Sequence, residues 1–92
     1  MTVVVRFRAD QAPYVKERTW HPSQSFRDLP DGGVEMTFHA AGEFEIMRWI
    51  LGWGDAAEVL EPEDLRRKMV QVLDQTLANY GASIKSSPDV LA

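Results

Sequence analysis

Pro30-Asp31-Gly32-Gly33 is followed at once by Val34-Glu-Met-Thr-Phe-His-Ala40, a run that alternates apolar and polar residues without a break. Proline and aspartate favour a turn, paired glycines supply backbone angles that other residues resist, and a period of two marks a strand with one covered face. The segment before the turn, Gln24 to Leu29, is poor in strand formers, yet a hairpin with a well-defined second strand is the simplest account. A lone hairpin is marginal in water, so the flanking segments must cover the face carrying Val34, Met36, Phe38 and Ala40.

Those segments read as alternating strands and helices. Val3 to Arg8 predicts a half-buried strand with Val3, Val5 and Phe7 on one face and Val4, Arg6 and Arg8 on the other. Ala9 to Arg18 predicts a short helix, with Ala12, Tyr14 and Val15 on its apolar side and Pro13 near its start. Beyond Gly42, the residues Phe44, Ile46, Met47, Ile50, Leu51 and Trp53 spread a wide apolar arc at helical spacing, so Glu43 to Trp53 is expected to be a largely buried helix ended by Gly54. Glu43 and Glu45 complement its positive end. Ala56 to Leu60 reads as a short strand. Pro62, Glu63 and Asp64 then open a long helix whose face is Leu65, Met69, Val72, Leu73, Thr76, Leu77 and Tyr80, and Gly81 closes it.

Strand, helix, strand, strand, helix, strand is the order of the ferredoxin-like α+β sandwich: a four-stranded antiparallel sheet with two helices on one face, here with an added C-terminal helix. Residues 1–81 are expected to form this one domain, and 82–92, polar and aperiodic, a disordered tail. The uncovered face of the sheet should carry Arg6, Arg8, Glu35, Thr37 and His39. The last helix has an apolar seam of its own that needs a partner, either within the domain or in another subunit.

Composition narrows the function. Ninety-two residues, 45% of them apolar, suit one core. No apolar run approaches the ~20 residues that cross a bilayer, and Arg6 and Asp10 interrupt the start where a signal peptide would stay apolar. The absence of cysteine fits a cytoplasmic setting and removes thiolate chemistry. A net charge of -4 with scattered basic residues does not favour an autonomous nucleic-acid binder, and no cofactor is expected.

Several stretches together resemble a known family: the strand VVVRF, an early helix ending near Glu17-Arg18, the turn DGGVEMTF, then EIMRWILGWG, the strand EVLEP and the helix start EDLRRKM. From Val3 to Tyr80 the chain is similar to WCX, the C-terminal extension that follows the WYL domain in bacterial transcriptional regulators. The resemblance implies a non-enzymatic piece of a larger protein. In such regulators a winged helix-turn-helix reads DNA, an SH3-like WYL barrel senses a ligand, and the extension modulates the response or dimerises. Its implied partners are upstream WYL and helix-turn-helix domains, a second copy in a homodimer, and an effector that is single-stranded nucleic acid or a small molecule. The WYL tripeptide itself is absent, so that domain's ligand residues do not transfer. An autonomous ferredoxin-like sensor of a small metabolite is the competing expectation.

Candidate residues follow from chemistry. Arg6 and Arg8 alternate along one strand and suit paired phosphate oxygens, although a solvated face with Glu35 or another acid opposite is the plainer reading. Arg66, Arg67 and Lys68 span nearly a whole helical turn and cannot all address one groove; Arg66 alone is kept, because it belongs to the family-like Leu-Arg pair. His21 and His39 have no partner at metal-ligand spacing, so no metal site is expected. His21, Ser23, Ser25 and Asp28 spell a triad only on paper, with no strained nucleophile turn, and no catalytic residue is assigned. Phe7 and Phe38 fall on the buried face, which removes the outward stacking platform of RNA-binding relatives of this fold. Of the paired tryptophans, Trp53 is expected to plug the helix end onto the sheet, and Trp49, off the centre of the apolar arc, to meet another domain or subunit.

Overall fold

The computed structural model describes residues 1–81. Its elements in chain order are β1 (Thr2–Phe7), α1 (Ala12–Lys16), β2 (Ser25–Asp28), β3 (Val34–His39), α2 (Glu43–Leu51), β4 (Ala57–Glu61) and α3 (Glu63–Asn79), with one 3₁₀ turn at Gly54–Ala56 before β4. The sheet runs β2-β3-β1-β4, and every neighbouring pair is antiparallel. This is the ferredoxin-like arrangement, in which each strand-helix-strand unit is split by a strand from the other. The tail expected at residues 82–92 lies outside the described residues.

Register places the apolar residues opposite one another. Val3 faces Phe38, Val5 faces Met36, and Phe7 faces Val34 across the β1–β3 ladder, while Val5 meets Val59 on β4. All of these are buried, and with Val15, Ile50 and Leu65 they form one core under the helices. The turn that sets this register is tightly built. Gly32 has φ 89°, and a Cβ on Gly33 would stand 2.6 Å from the Phe7 carbonyl oxygen, so a side chain at Gly33 would push the hairpin off the central strand. Asp31 Oδ1 accepts the Gly33 N–H at 2.8 Å, a local bond of the kind that makes aspartate a turn residue.

Four expectations are corrected in detail. Helix α1 is only Ala12–Lys16, and Tyr14 is 59% exposed. One turn of helix can bury just two positions, and Ala12 and Val15 take them. Helix α2 stops at Leu51 with Gly52 as its cap; Gly54 is left-handed at φ 61°, but it opens the 3₁₀ turn two residues later. Phe44 is 70% exposed instead of joining the core. It lies roughly a third of a turn from the mean direction of the buried Ile46, Met47 and Ile50, and its ring carries the Arg48 guanidinium at 5.8 Å.

Helix α3 packs on β4 and α2 through Leu65 and Met69, with Val72 half-buried behind them. Val70, Leu73, Leu77 and Tyr80 stay exposed. The helix therefore carries two adjacent stripes: an inner one spaced four and three residues apart, which is used, and an outer one spaced three, four and three, which is bare. Leu65 is 0% exposed and Leu73 51%. Leu65→Ala should cost about 2 to 5 kcal/mol by leaving a cavity, whereas Leu73→Ala, measured at concentrations where the chain is monomeric, should stay within about 0.5 kcal/mol. Urea denaturation of both variants checks this, and equal losses would contradict the assignment of the two stripes.

Candidate functional site

Arg6 on β1 and Arg8 just beyond its end both point outward, and each meets acids: Arg6 one on β4, Arg8 one nearby and one from the turn before β4. Arg6 pairs with Glu58 on β4, and Arg66, on the first turns of α3, reaches the other oxygen of the same carboxylate at 2.7 Å. Arg66 Nη1 also donates to the Val59 carbonyl at 2.8 Å. Glu58 is thus held between two guanidinium groups. The hydrogen bond from Arg66 and the charge of Arg6 lower its pKa, and its partial burial opposes them only in part. Glu35, which stands directly opposite Arg6 in register, is used instead by Arg27 on β2 at 2.9 Å.

Arg8 makes a separate cluster. Its Nε and Nη2 grip Asp10 at 2.7 and 3.2 Å, and its Nη1 meets Asp55 at 3.0 Å. Hydrogen bonds to the two carboxylates raise the Arg8 pKa further above its ordinary value, and the bond from Arg8 lowers that of Asp10. A recess of about 210 Å³ between the two clusters is lined by Arg6, Arg8, Asp31, Asp55 and Glu58. Of the three arginines expected to line one groove, Arg6 and Arg66 converge on one acid and Arg8 stands beside them. The surface they make is charge-compensated: an anion arriving here has to displace a carboxylate.

The histidines and serines serve the backbone. The Thr2 hydroxyl lies 2.9 Å from His39 Nδ1. Ser23 donates its N–H to His21 Nδ1 at 3.1 Å, its hydroxyl lies 2.8 Å from the same nitrogen, and that hydroxyl accepts the His39 N–H at 2.8 Å. Ser23 therefore bridges a loop to the end of β3. Asp28 is taken by Lys16 at 2.7 Å, so no triad is assembled. Among the described residues no group of three or more His, Cys, Asp or Glu is placed to hold a metal ion.

On the helix side, all three tryptophans gather with Phe7 and Phe38. Phe7 meets Trp53 at 5.2 Å and Trp49 at 6.0 Å, both edge to face, and Trp20 lies 5.7 and 5.6 Å from Trp49 and Trp53. Phe38 stands at 85° to Trp49. Trp53 does rest on the sheet through Phe7, but it is half-buried, as is Trp49, so burial does not separate the two as expected. The reason is Trp20, which sequence reading passed over because a lone tryptophan in an aperiodic loop has no pattern to mark it. Its indole N–H donates to the Val15 carbonyl at 2.8 Å, and its main-chain N–H is taken by Gln24 Oε1 at 2.6 Å. Beside this cluster opens a groove of about 330 Å³, walled by Trp20, His21, Phe38, Ala40, Glu45 and Trp49.

Comparison with known proteins agrees with this architecture. The WCX domain profile matches residues 1–77. Protein PafC, from two strains of Mycobacterium tuberculosis, is 33% identical over 64 residues, which cover 70% of this chain and 20% of that protein. The chain thus spans about a fifth of the relative it matches. The solved structure of proteasome accessory factor B/C (PafBC) of Arthrobacter aurescens superposes with a TM-score of 0.73 at 21% identity, over 89% of this chain and 12% of that one. That likeness establishes the fold.

The Glu58 cluster sets a pH dependence. A carboxyl whose pKa is lower in the folded than in the unfolded state contributes stability above its unfolded value, and that contribution is lost as pH falls through the folded one. Glu58→Gln also sets Arg6 against Arg66. Because the carboxylate is partly exposed and screened, the variant should lose up to about 1 kcal/mol near neutrality. In strong acid, where Glu58 is protonated, wild type and variant should converge. Urea denaturation at the two pH extremes checks this, and a constant difference would refute the linkage.

Proposed function

The chain belongs to the WCX domain family, and on that premise we propose that it is the non-enzymatic C-terminal regulatory and interaction domain of a WYL-type bacterial transcription regulator. The domain acts as a surface between subunits and between domains, while DNA is read by a helix-turn-helix and an effector is sensed by a WYL barrel elsewhere in the same polypeptide. The setting is cytoplasmic. No helix among the described residues is long and apolar enough to cross a membrane.

The observation that carries this reading is the bare outer stripe of α3. Val70, Leu73, Leu77 and Tyr80 are each at least 42% exposed and recur at intervals of three, four and three residues. That is the spacing of a seam made for a second helix, because knobs from one helix then fall into the holes of its neighbour. In a two-fold dimer the same stripe meets its own copy, so a self-complementary apolar face suffices. Trp49 turns its remaining surface towards the aromatic groove, and α3 offers the larger apolar area to a subunit.

Effector binding is the second part of the proposal. Arg6, Arg8 and Arg66 are arranged to exchange their carboxylates for an anionic effector, single-stranded nucleic acid or a small anion. Guanidinium groups grip phosphate oxygens in pairs as readily as they grip Glu58 or Asp10. The competing reading, a self-sufficient small-molecule sensor, is supported by the groove beside Trp20 and Trp49, which needs no upstream domain.

The dimer is tested with the double variant Leu73→Glu, Leu77→Glu in the 92-residue chain and in the longer regulator that carries the domain. Light scattering after size exclusion should show a dimer for wild type and a monomer for the variant. The melting curve of the variant monomer should keep its cooperativity, since both positions are exposed. A variant that remains dimeric, or a wild type that is monomeric in both contexts, would exclude α3 as the subunit interface.

A further inference from the structure

The groove beside the tryptophans has a chemistry that neither the core nor the arginine surface explains. Its walls are ring faces and edges: Trp20 and Trp49, both half-buried and tilted against each other with centroids 5.7 Å apart, together with Phe38 and His21. Aromatic faces carry negative charge in their quadrupoles and attract cations, most strongly for tryptophan. Trp20 already does so on its own account, with the Arg18 guanidinium carbon 5.7 Å from its ring centroid. No lysine or arginine lines the groove, and its one charged residue is Glu45.

Glu45 has no ion-pair partner among the described residues, whereas its neighbour Glu43 is held by Lys68 at 2.6 Å. The positive end of the α2 dipole stands at the same mouth, but it amounts to roughly half a charge, and the full charge of Glu45 outweighs it. The ring faces repel an anion, and with Glu45 they disfavour one although the Met1 ammonium donates to the Ala40 carbonyl at 2.8 Å. A metal ion is disfavoured as well: His21 Nδ1 is taken by the Ser23 N–H at 3.1 Å, and among the described residues no group of three or more His, Cys, Asp or Glu is placed to hold one. The volume, about 330 Å³, matches one small molecule at the lower end of ligand pockets.

We propose that this groove binds a small organic cation, an alkylated ammonium on a short aliphatic body, with its charge against the Trp20 and Trp49 rings and near Glu45. The body of the ligand lies over Phe38 and Ala40. The walls explain why an organic cation suits the site better than an inorganic one: carbon faces solvate methyl-bearing ammonium groups but supply no oxygen ligands for sodium or potassium. The inference does not rest on the regulator reading, because every group it uses belongs to this domain.

The test uses the 92-residue chain, in which all three tryptophans belong to the ring cluster and report on it by fluorescence, with calorimetry alongside. The probe is choline. Its control is neopentylcarbinol, the uncharged isostere in which carbon replaces nitrogen. Choline should bind saturably, and the isostere about tenfold more weakly, the size of one or two desolvated cation–π contacts. Glu45→Gln should weaken choline about threefold and lower the melting temperature only slightly, by the loss of one exposed charge at the positive end of α2. Three results would each overturn the proposal: no saturable response to choline, equal binding of the isostere, or indifference to Glu45→Gln. Tighter binding of N-acetyl-lysine amide than of choline would also overturn it, by making the groove a seat for a protein side chain.

Discussion

The helix-bearing side of the sheet is organised about one ring. Phe7 ends the central strand β1, is fully buried, and faces Val34 on one neighbouring strand and Ala57 on the other. Its edge-to-face contacts with Trp49 and Trp53 tie the sheet to both ends of the segment that leaves α2. Such aromatic pairs add about 0.5 to 1.5 kcal/mol each beyond simple burial. The carbonyl of the same residue is what a side chain at Gly33 would strike, so the hairpin turn and the aromatic cluster are positioned by a single residue.

The fold was legible because its signals were local and periodic. Strict alternation in Val34 to Ala40 decided which residues face the core, and the glycine turn decided the hairpin; in Val3 to Arg8 the period of two placed Val3, Val5 and Phe7 correctly, while Val4, expected on the polar face, is buried too. Failures came where a pattern meets an end. Phe44 fits the helical arc by residue type but sits on the first turn, off the buried direction, and α1 is too short to bury a third position. The site was less legible than the fold. Arg6 has an acid opposite it on each side, Glu35 and Glu58, and only the positions of Arg27 and Arg66 decide that Glu58 takes it. Trp20 contributes as much to the aromatic cluster as either helix-side tryptophan, yet nothing in its neighbourhood repeats.

The two faces of the domain present two kinds of surface. On the open face each arginine is already matched by carboxylates, so the surface holds little net field despite its density of charge. On the helix face the apolar area is split between an inner stripe that builds the core and an outer stripe that is exposed. Because the two stripes lie side by side on one helix, anything that covers the outer one would bear directly on the element that covers β4.

The Arg66 bond to Val59 has a further effect. The Arg8 N–H goes to the Ala56 carbonyl, so the alternation of β4 turns the Val59 carbonyl away from β1, towards the rim of the sheet. There the guanidinium occupies an acceptor that an incoming strand would need. The opposite rim, β2, is only four residues long and carries Arg27 and Asp28. Short and charged rims are how proteins keep sheets from polymerising edge to edge. This one is stoppered at both sides, which guards a domain with an exposed apolar stripe on α3 against amyloid-like growth from its edges.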